Sequence, residues 1–503
     1  MIPFQRIFGS GLVLVAVGAA VAGCGGGGSG GYAAASPGGA GIGGSGYQAR
    51  GNVTGFGSIF VNGIELDTAG ASFEIEGAAG SENDLFVGAR VIVDGRTTSA
   101  TRGVATRVRF DDELEGPIPA GAAITTDPDG ETKDFSVLGV PVRVETDTTH
   151  FLAGASFAGL AAGQELSLSG FYDDAGVLHA TAVVAKGGFT PGVTLVEAKG
   201  RVENPAAGGF DLRVGTRLLS VDSAGAVLTG FPAGVAAGQT VEVRGTIPND
   251  ISTAVTAVEV RFLDEAFGAG LPVELEGIVT RFASLSDFDV DGQRVDGSGA
   301  ARLPANLSLR VGLRLEVEGS VSGGVVRAQR LVLREGRLKV HGTGGNANAS
   351  AGTFEVTVAG QRVRVTVDGT TRLEDKTSGV PLTLSALDRV NGRFVRIRGH
   401  DDGSGAGILA ARVVIDAADD EVLQGVLAAQ SVGSSLTVLG VTVAVDATTE
   451  FQDPTNAPYP GGHADFAAQA TVGSSLVKIT DKQAGAGGAN PPGTADEVEL
   501  QLP

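Results

Sequence analysis

The residues best suited to chemistry in this chain form one short acidic run near its middle. Asp287, Asp289 and Asp291 alternate with apolar residues and precede a glycine, which reproduces the first half of a D-x-D-x-D-G calcium loop. Such a loop has a bidentate glutamate at its twelfth position, where this chain has Ser298. The same alternation fits the solvent-facing side of a β-strand. The run is therefore a candidate metal site with a purely structural alternative.

No other group of residues suggests catalysis. The sequence contains neither an H-E-x-x-H pair nor a G-x-x-x-x-G-K-[ST] phosphate loop. The histidines fall in different parts of the repeat described below, so we expect surface or strand-end positions for them. These histidines are His150, His179, His341, His400 and His463. We predict that the chain is not an enzyme and that it uses no cofactor.

The single cysteine follows an N-terminal export signal. Residues 1–6 carry one positive charge, and residues 7–21 form an apolar run with the length of a signal sequence. Val21-Ala22-Gly23-Cys24 comes next and resembles the bacterial lipobox, in which small residues precede an invariant cysteine. The resemblance implies diacylglycerol on the Cys24 thiol and cleavage between Gly23 and Cys24. An uncleaved anchor or an ordinary signal peptide is the alternative.

The residues after Cys24 indicate where the chain would be held. Residues 25–46 are dominated by Gly, Ser and Ala, a composition typical of a flexible linker. Gly25 follows the cysteine, whereas by resemblance an aspartate there would favour the inner membrane. We expect a lipoprotein of the cell envelope, anchored in the outer membrane and facing the periplasm or the cell surface.

The charge and the cysteine count exclude some classes of protein. The formal net charge is −20, and loss of residues 1–23 removes only Arg6 among the charged side chains. A polyanion is not expected to bind nucleic acid, because phosphate backbones require a basic surface. A divalent cation or a basic partner stays possible, and so does a role in solubility alone. One cysteine excludes an intramolecular disulfide.

Three sequence markers recur in the same order six times through the rest of the chain. The first is a glycine that opens a strand after an acidic or basic residue, as in Glu276-Gly277. The second is a hairpin that turns at glycine, as in 210–223. The third is a Val-rich strand that ends in glycine, as in 237–245, before a closing strand such as 254–262. The opening glycines are Gly51, Gly116, Gly200, Gly277, Gly342 and Gly425.

Each repeat supplies about five strands with one polar and one apolar side, and closure into a small barrel buries the apolar side. We predict an all-β tandem array of about six small five-stranded OB-like barrels, with a small sandwich as the alternative. The expected core of the third module is Leu212, Val214, Leu218, Val241, Val243, Val258 and Val260. The predicted domains are a signal peptide at 1–23, a tether at 24–50 and modules at 51–112, 113–190, 195–265, 272–335, 336–418 and 420–503.

The sixth module is the most divergent. Asp481 stands where the other Val-rich strands end in glycine, and residues 452–469 read as an inserted loop.

The repeat resembles a family of bacterial domains of unknown function that occurs in lipoproteins and predicted periplasmic proteins. The shared features are the glycine-opened strand, the V-x-G-x-x-V hairpin, the G-x-x-V-x-V-x-G strand and the A-x-x-V closing strand. The resemblance covers nearly all of 51–502 and supplies no catalytic residues.

These features favour a non-catalytic binding or structural protein. We expect a monomeric, membrane-anchored rod of repeated barrels that contacts an envelope protein or a polysaccharide, with short linkers that limit bending. The alternatives are a surface adhesin stiffened by calcium at its acidic loops and an enzyme with one specialised module.

Overall fold

A computed structural model describes residues 46–501 of the chain, except 100, 128–129, 147, 232, 306, 335, 369–370, 379, 381, 403 and 484–489. The predicted signal peptide, the proposed cleavage site at Gly23 and Cys24, and most of the predicted tether lie outside these described residues.

Short strands form six successive sets, and the hairpin strands alternate buried and more exposed residues most regularly. The first module has β1 (Tyr47–Gly55), β2 (Ile59–Val61), β3 (Ile64–Asp67), β4 (Ser72–Ile75), β5 (Ala78–Gly80), β6 (Arg90–Thr97) and β7 (Arg102–Phe110). The second has β8 (Leu114–Pro117), β9 (Thr125–Thr126), β10 (Thr132–Val137), β11 (Val140–Glu145), β12 (His150–Leu152), β13 (Gln164–Tyr172) and β14 (Leu178–Gly188). The third has β15 (Val196–Ala206), β16 (Gly209–Val214), β17 (Arg217–Asp222), β18 (Val227–Thr229), β19 (Thr240–Thr246) and β20 (Ala254–Phe262).

The last three modules repeat this order. The fourth has β21 (Pro272–Ser284), β22 (Asp287–Val290), β23 (Gln293–Asp296), β24 (Ala301–Leu303), β25 (Arg314–Ser322) and β26 (Val325–Leu333). The fifth has β27 (Leu338–Asn348), β28 (Thr353–Val358), β29 (Gln361–Thr366), β30 (Arg372–Asp375), β31 (Phe394–Asp401) and β32 (Gly407–Ile415). The sixth has β33 (Glu421–Ser431), β34 (Ser435–Val438), β35 (Val441–Ala444), β36 (Glu450–Gln452), β37 (Leu476–Asp481) and β38 (Glu497–Gln501).

Helical segments are few and short. Two 3-10 helices lie before Val-rich strands, at Glu82–Asp84 and Leu384–Val390. One α-helix, α1 (His463–Gln469), lies in the segment that we predicted as an inserted loop of the sixth module.

The third module shows how a barrel closes. Opening strand β15 pairs antiparallel with hairpin strand β16, which pairs antiparallel with β17. Strand β17 runs parallel to closing strand β20, and β20 pairs antiparallel with the Val-rich strand β19, which returns to β15. The ring of five strands is the predicted OB-like barrel. The sequence analysis missed one element, the short strand β18, which runs parallel to β20.

The other modules share this plan, with looser closure in two of them. The first, fourth and fifth modules have all five pairings of the ring. In the second module, the described residues show no pairing between opening strand β8 and hairpin strand β10, and β9 pairs with β10 instead. In the sixth, β35 meets the segment before β38 through a single bridge, Ala444 to Thr494.

The core of the third module is largely the predicted one. Leu212, Val214, Val241, Val243 and Val260 are all buried, which confirms those five predictions. Leu218 and Val258 are 43% and 47% exposed, so their placement in the core was wrong.

Two local features explain the errors. The hairpin turns in two residues, and this register sets Leu219, rather than Leu218, opposite the buried Leu212. In the closing strand, Arg244 and Gly245 pair with Glu259 and Ala257, so a β-bulge skips Val258 and pushes it outward.

The bulge explains the repeated A-x-x-V marker. Five closing strands carry the same register shift, and it separates the alanine from the next residue of the barrel core by three positions instead of two. The opposing glycine ends the Val-rich strand, and a Cβ at Gly245 would lie 2.4 Å from the carbonyl oxygen of Thr256. In the sixth module β37 and β38 pair without a shift, which leaves room for Asp481.

Modules join through their opening strands, and the joined modules are not always neighbours in sequence. Strand β1 of the first module pairs parallel with β21 of the fourth. Strand β8 pairs antiparallel with β15, and β27 with β33. The modules are therefore grouped as one and four, two and three, and five and six. The predicted end-to-end rod is wrong, because backbone hydrogen bonds join the first module to the fourth.

The predicted boundary between tether and first module was also misplaced. Strand β1 begins at Tyr47, and residues 48–50 pair with 273–275 of the fourth module. The last residues assigned to the tether are therefore part of a module junction.

The bulge predicts that a side chain at its glycine destabilises a barrel. We expect Gly245→Ala to lower the free energy of unfolding by about 1–3 kcal/mol, because the new methyl group meets backbone rather than a movable side chain. Gly225→Ala is the matched control, since a Cβ there has no atom within 4 Å. Thermal unfolding of both variants checks this, and equal midpoints would show that the strands move apart freely.

Candidate functional site

Charged side chains are buried where the modules meet. The residue before each opening glycine points out of its own barrel, because side chains alternate along a strand. For opening strands this outward side faces another module. Arg50 is 5% exposed, Glu276 0% and His341 1%. The acidic or basic residue of the first sequence marker is therefore a junction residue.

One ionic cluster joins the first four modules. The Arg90 guanidinium of the first module binds both Glu113, at the start of the second, and Asp291 of the fourth. Lys199 of the third module places its Nζ 3.0 Å from Glu113 and 2.6 Å from Glu265. Because each charge has an opposite partner, these groups can be removed from water without being neutralised by protonation.

A second cluster joins the fourth, fifth and second modules. The buried Glu276 binds Arg314 of its own module at 2.9 Å and also Arg372 of the fifth. Glu374, on the same short strand as Arg372, binds Arg412 at 2.7 Å and accepts a bond from His150 Nε2 of the second module at 2.9 Å. The short strands of the second and fifth modules thus meet through charge.

A third cluster reaches the sixth module. Glu131 of the second module binds Lys339 of the fifth at 2.5 Å and lies 3.6 Å from Lys478 of the sixth. Lys478 also lies 3.5 Å from Glu499 within its own barrel. Arginine, lysine, aspartate and glutamate side chains thus connect all six modules.

Glu276 and Glu265 are held ionised in these clusters, whereas burial raises the pKa of Asp291 against the opposing effects of Arg90 and Arg50. Burial by itself raises the pKa of Glu276, but Arg314, Arg372 and Arg334 outweigh it and lower the pKa to about 2. Burial also raises the pKa of Glu265, but Lys199, Arg50 and Arg90 outweigh this effect and lower the pKa to about 2. Since these values lie below the ordinary glutamate value, the stabilisation is present above about pH 4.5 and is lost as the pH falls towards 2.

The first cluster leaves no room for a substrate. Its cavity measures about 10 Å³ and is lined by residues that include Arg50, Arg90, Lys199 and Glu265. That is space for about one water molecule. An open hollow of about 560 Å³ lies on the fifth module, and Arg364, Thr366, Asp402, Ser404 and Leu409 line it.

The candidate calcium residues separate in space. Asp287 and Asp289 lie on hairpin strand β22 and bind the Arg281 guanidinium at 2.6 and 2.8 Å. Asp291 occupies the turn and instead binds Arg90 and Arg50 inside the first cluster. Among the described residues, no three His, Cys, Asp or Glu side chains are grouped as ligands for a metal ion.

The histidines are less superficial than the sequence analysis predicted. His341 and His463 are buried, and the His463 ring stacks on Phe451 with centroids 4.6 Å apart. Burial lowers the pKa of His150 although Glu374 opposes this shift. Within the described part of the chain, no helix is long and apolar enough to cross a membrane.

Comparison with protein families supports the repeat. Five stretches match the sequence model of a family described as a domain of unknown function (DUF5666), at residues 50–109, 116–184, 276–331, 346–414 and 424–463. Together they make up more than half of the chain.

The chain belongs to this family. The third module lies outside the matched stretches but has the same strand order, so it shares the barrel fold of the matched modules. The comparison with curated proteins found no match.

The sequence analysis missed the ionic clusters, although one signal for them was present. The residue before each opening glycine is visible in the sequence, but the repeat pattern by itself predicts no role for it. The partners, such as Glu113, Asp291 and Arg372, carry no local signal, because they are far apart in sequence and meet only when modules pack.

Removal of one member of the first cluster tests its contribution. We expect Arg90→Met to lower the free energy of unfolding by about 3–5 kcal/mol, because Glu113 and Asp291 would be left buried without their partner. Arg102→Met is the control, because the Arg102 side chain, which pairs with Glu65, is 69% exposed. This variant should change the free energy of unfolding by at most about 1 kcal/mol. Urea unfolding measures both, and equal effects would contradict the assignment.

Proposed function

We propose that this chain is a non-catalytic lipoprotein of the cell envelope, a rigid scaffold of DUF5666 barrels that binds an envelope protein or a glycan. The observation that carries the proposal is the use of buried charges to bind one module to another. In an enzyme, buried titratable groups surround a space for substrate. Here arginine and glutamate contact each other, and the space left between them accommodates about one water molecule.

The junctions support a rigid display of the outer surface. The junction between β1 and β21 combines backbone pairing of the opening strands with a buried ion pair between Arg50 and Asp291. Such an arrangement fixes the barrels relative to one another, and several fixed surfaces allow multivalent binding.

The third module offers a surface for a partner. It exposes more large apolar side chains than any of the other described modules. A single exposed apolar residue needs no explanation, whereas a larger number on one module indicates a binding surface. The exposed side chains of the third module are Leu195, Leu218, Val227, Leu228, Ile251 and Val258. We therefore infer that partner binding involves this module.

The membrane anchor is proposed from sequence alone. Cys24 follows an apolar run and small residues, and it is the one cysteine of the chain. Several acyl chains on one residue would hold the protein stably at a bilayer. The Gly-rich segment behind it would separate the first barrel from the membrane surface.

Metabolic labelling with a fatty-acid probe tests the anchor. We expect the full-length protein to incorporate the probe and to fractionate with membranes, and Cys24→Ala to do neither. Labelling of Cys24→Ala, or an unlabelled parent protein, would remove lipidation from the proposal.

Photo-crosslinking from intact cells tests the binding role. A photoreactive residue replaces Leu218 in the third module, and the matched control replaces Val432, which is 59% exposed in the sixth. We expect one specific envelope adduct from position 218 and none from position 432, and only when Cys24 is present. A protein adduct identifies a scaffold for assembly, and a glycan adduct identifies a polysaccharide-binding array. If neither position yields an adduct, the proposed binding role is wrong.

A further inference from the structure

The junction between the second and third modules differs from the other junctions in its charge. Strands β8 and β15 pair there through only two positions, and one of these places Glu115 directly opposite Glu197. Like charges opposite each other across a strand pair repel. Further carboxyl groups surround them.

Carboxyl groups outnumber cations at this junction. Glu115 binds Lys186 at 3.0 Å, and Glu197 binds Arg244 at 2.9 Å. Glu165 is 4% exposed and has no cation within 4 Å among the described residues. The carboxyl groups are Glu76, Asp111, Asp112, Glu113, Glu115, Glu165, Glu197 and Glu242, and the cations are Lys186, Lys199, Arg244 and Arg261.

Several of these oxygens are buried without a hydrogen-bond partner. They include Oε1 of Glu165, Oε1 of Glu197 and Oδ1 of Asp112. All three side chains are at least nine-tenths buried. A buried, unpaired carboxylate oxygen is unfavourable, whereas a protonated carboxyl group can donate a hydrogen bond and carries no charge.

We infer that this junction is a proton-controlled joint, closed while its buried carboxyl groups hold protons and loosened when they ionise. The surrounding charges agree with this assignment. Burial, with a smaller contribution from Glu115 and against the opposing effect of Lys186, raises the pKa of Glu165 to about 7. Burial also raises the pKa of Glu197, with Glu242, Glu76 and Asp112 adding to the effect against Arg244.

Two further groups change in the same direction. Burial and Glu76 raise the pKa of Asp112, although the Ser167 hydroxyl donates to its Oδ2. Burial and Asp111 raise the pKa of Glu242 despite its bond to Arg261.

The direction of the pH effect follows from these shifts. A carboxyl group whose pKa is higher in the closed joint than in the open one binds more protons when closed. The closed state is therefore most stable below about pH 4.5, where the group is protonated in both states. The closed state loses stability as the pH rises from about 4.5 to about 7, where Glu165 ionises. It loses more stability at the higher pH at which Glu197 ionises. The clusters around Glu276 and Glu265 behave in the opposite sense, because their carboxylates are stabilised as anions.

Fluorescence energy transfer in the full-length protein tests the joint. Dyes attached through Ala158→Cys in the second module and Ala224→Cys in the third report the distance between the two modules, and both positions are exposed. Between pH 4 and pH 9 we expect transfer to fall as the joint opens. Ionisation of Glu165 should shift the opening equilibrium on the order of a hundredfold.

Neutral substitutions identify the groups responsible. Glu165→Gln with Glu197→Gln should abolish the pH dependence, because glutamine has the same shape and does not titrate. Glu259→Gln, on the closing strand of the third module, should leave it unchanged. Circular dichroism checks that each variant is folded. Constant transfer in the parent protein, or an unchanged transition in the double variant, would overturn the inference.

Discussion

Burial of charge between barrels is the constraint on which the assembly depends. Buried apolar contacts continue from the second module into the third and from the fifth into the sixth, whereas the first and fourth modules have separate apolar cores. Charged side chains on the outward side of the strands add specific contacts between modules. An arginine taken out of water must find a carboxylate, and Arg90 finds its two partners in two different modules. Incorrect packing of the modules would leave these charges unpaired.

One repeated position has acquired different chemistry in each module. The residue before the opening glycine is Arg50, Glu115, Lys199, Glu276, His341 or Gln424. The fold holds each of these side chains at an equivalent place, facing out of the barrel. The repeated fold therefore supplies the geometry, and the residue type at this position sets the chemistry of each junction. This explains how barrels of one family assemble in a defined arrangement.

The junctions do not all respond to protons in the same way. Where arginine and carboxylate balance, as around Glu276, the ion pairs persist except in strong acid. Where carboxyl groups are in excess, as between Glu115 and Glu197, protonation favours closure. A scaffold with both kinds of junction keeps most of its modules fixed while one joint responds to pH. For an envelope protein, this would link the spacing of two barrels to the acidity outside the cytosol.

The sequence by itself determined the all-β fold, the repeat, the OB-like barrel and most of the core predicted for the third module. It could do so because strand alternation, glycine turns and the A-x-x-V spacing act within about 70 residues of chain. It misplaced Leu218 and Val258, because a two-residue turn and a β-bulge each shift the alternation by one position. Only the tertiary structure decided which modules pair and which charges meet. Arg90 and Asp291 are 201 residues apart, and no local pattern encodes a contact that depends on how two closed barrels pack.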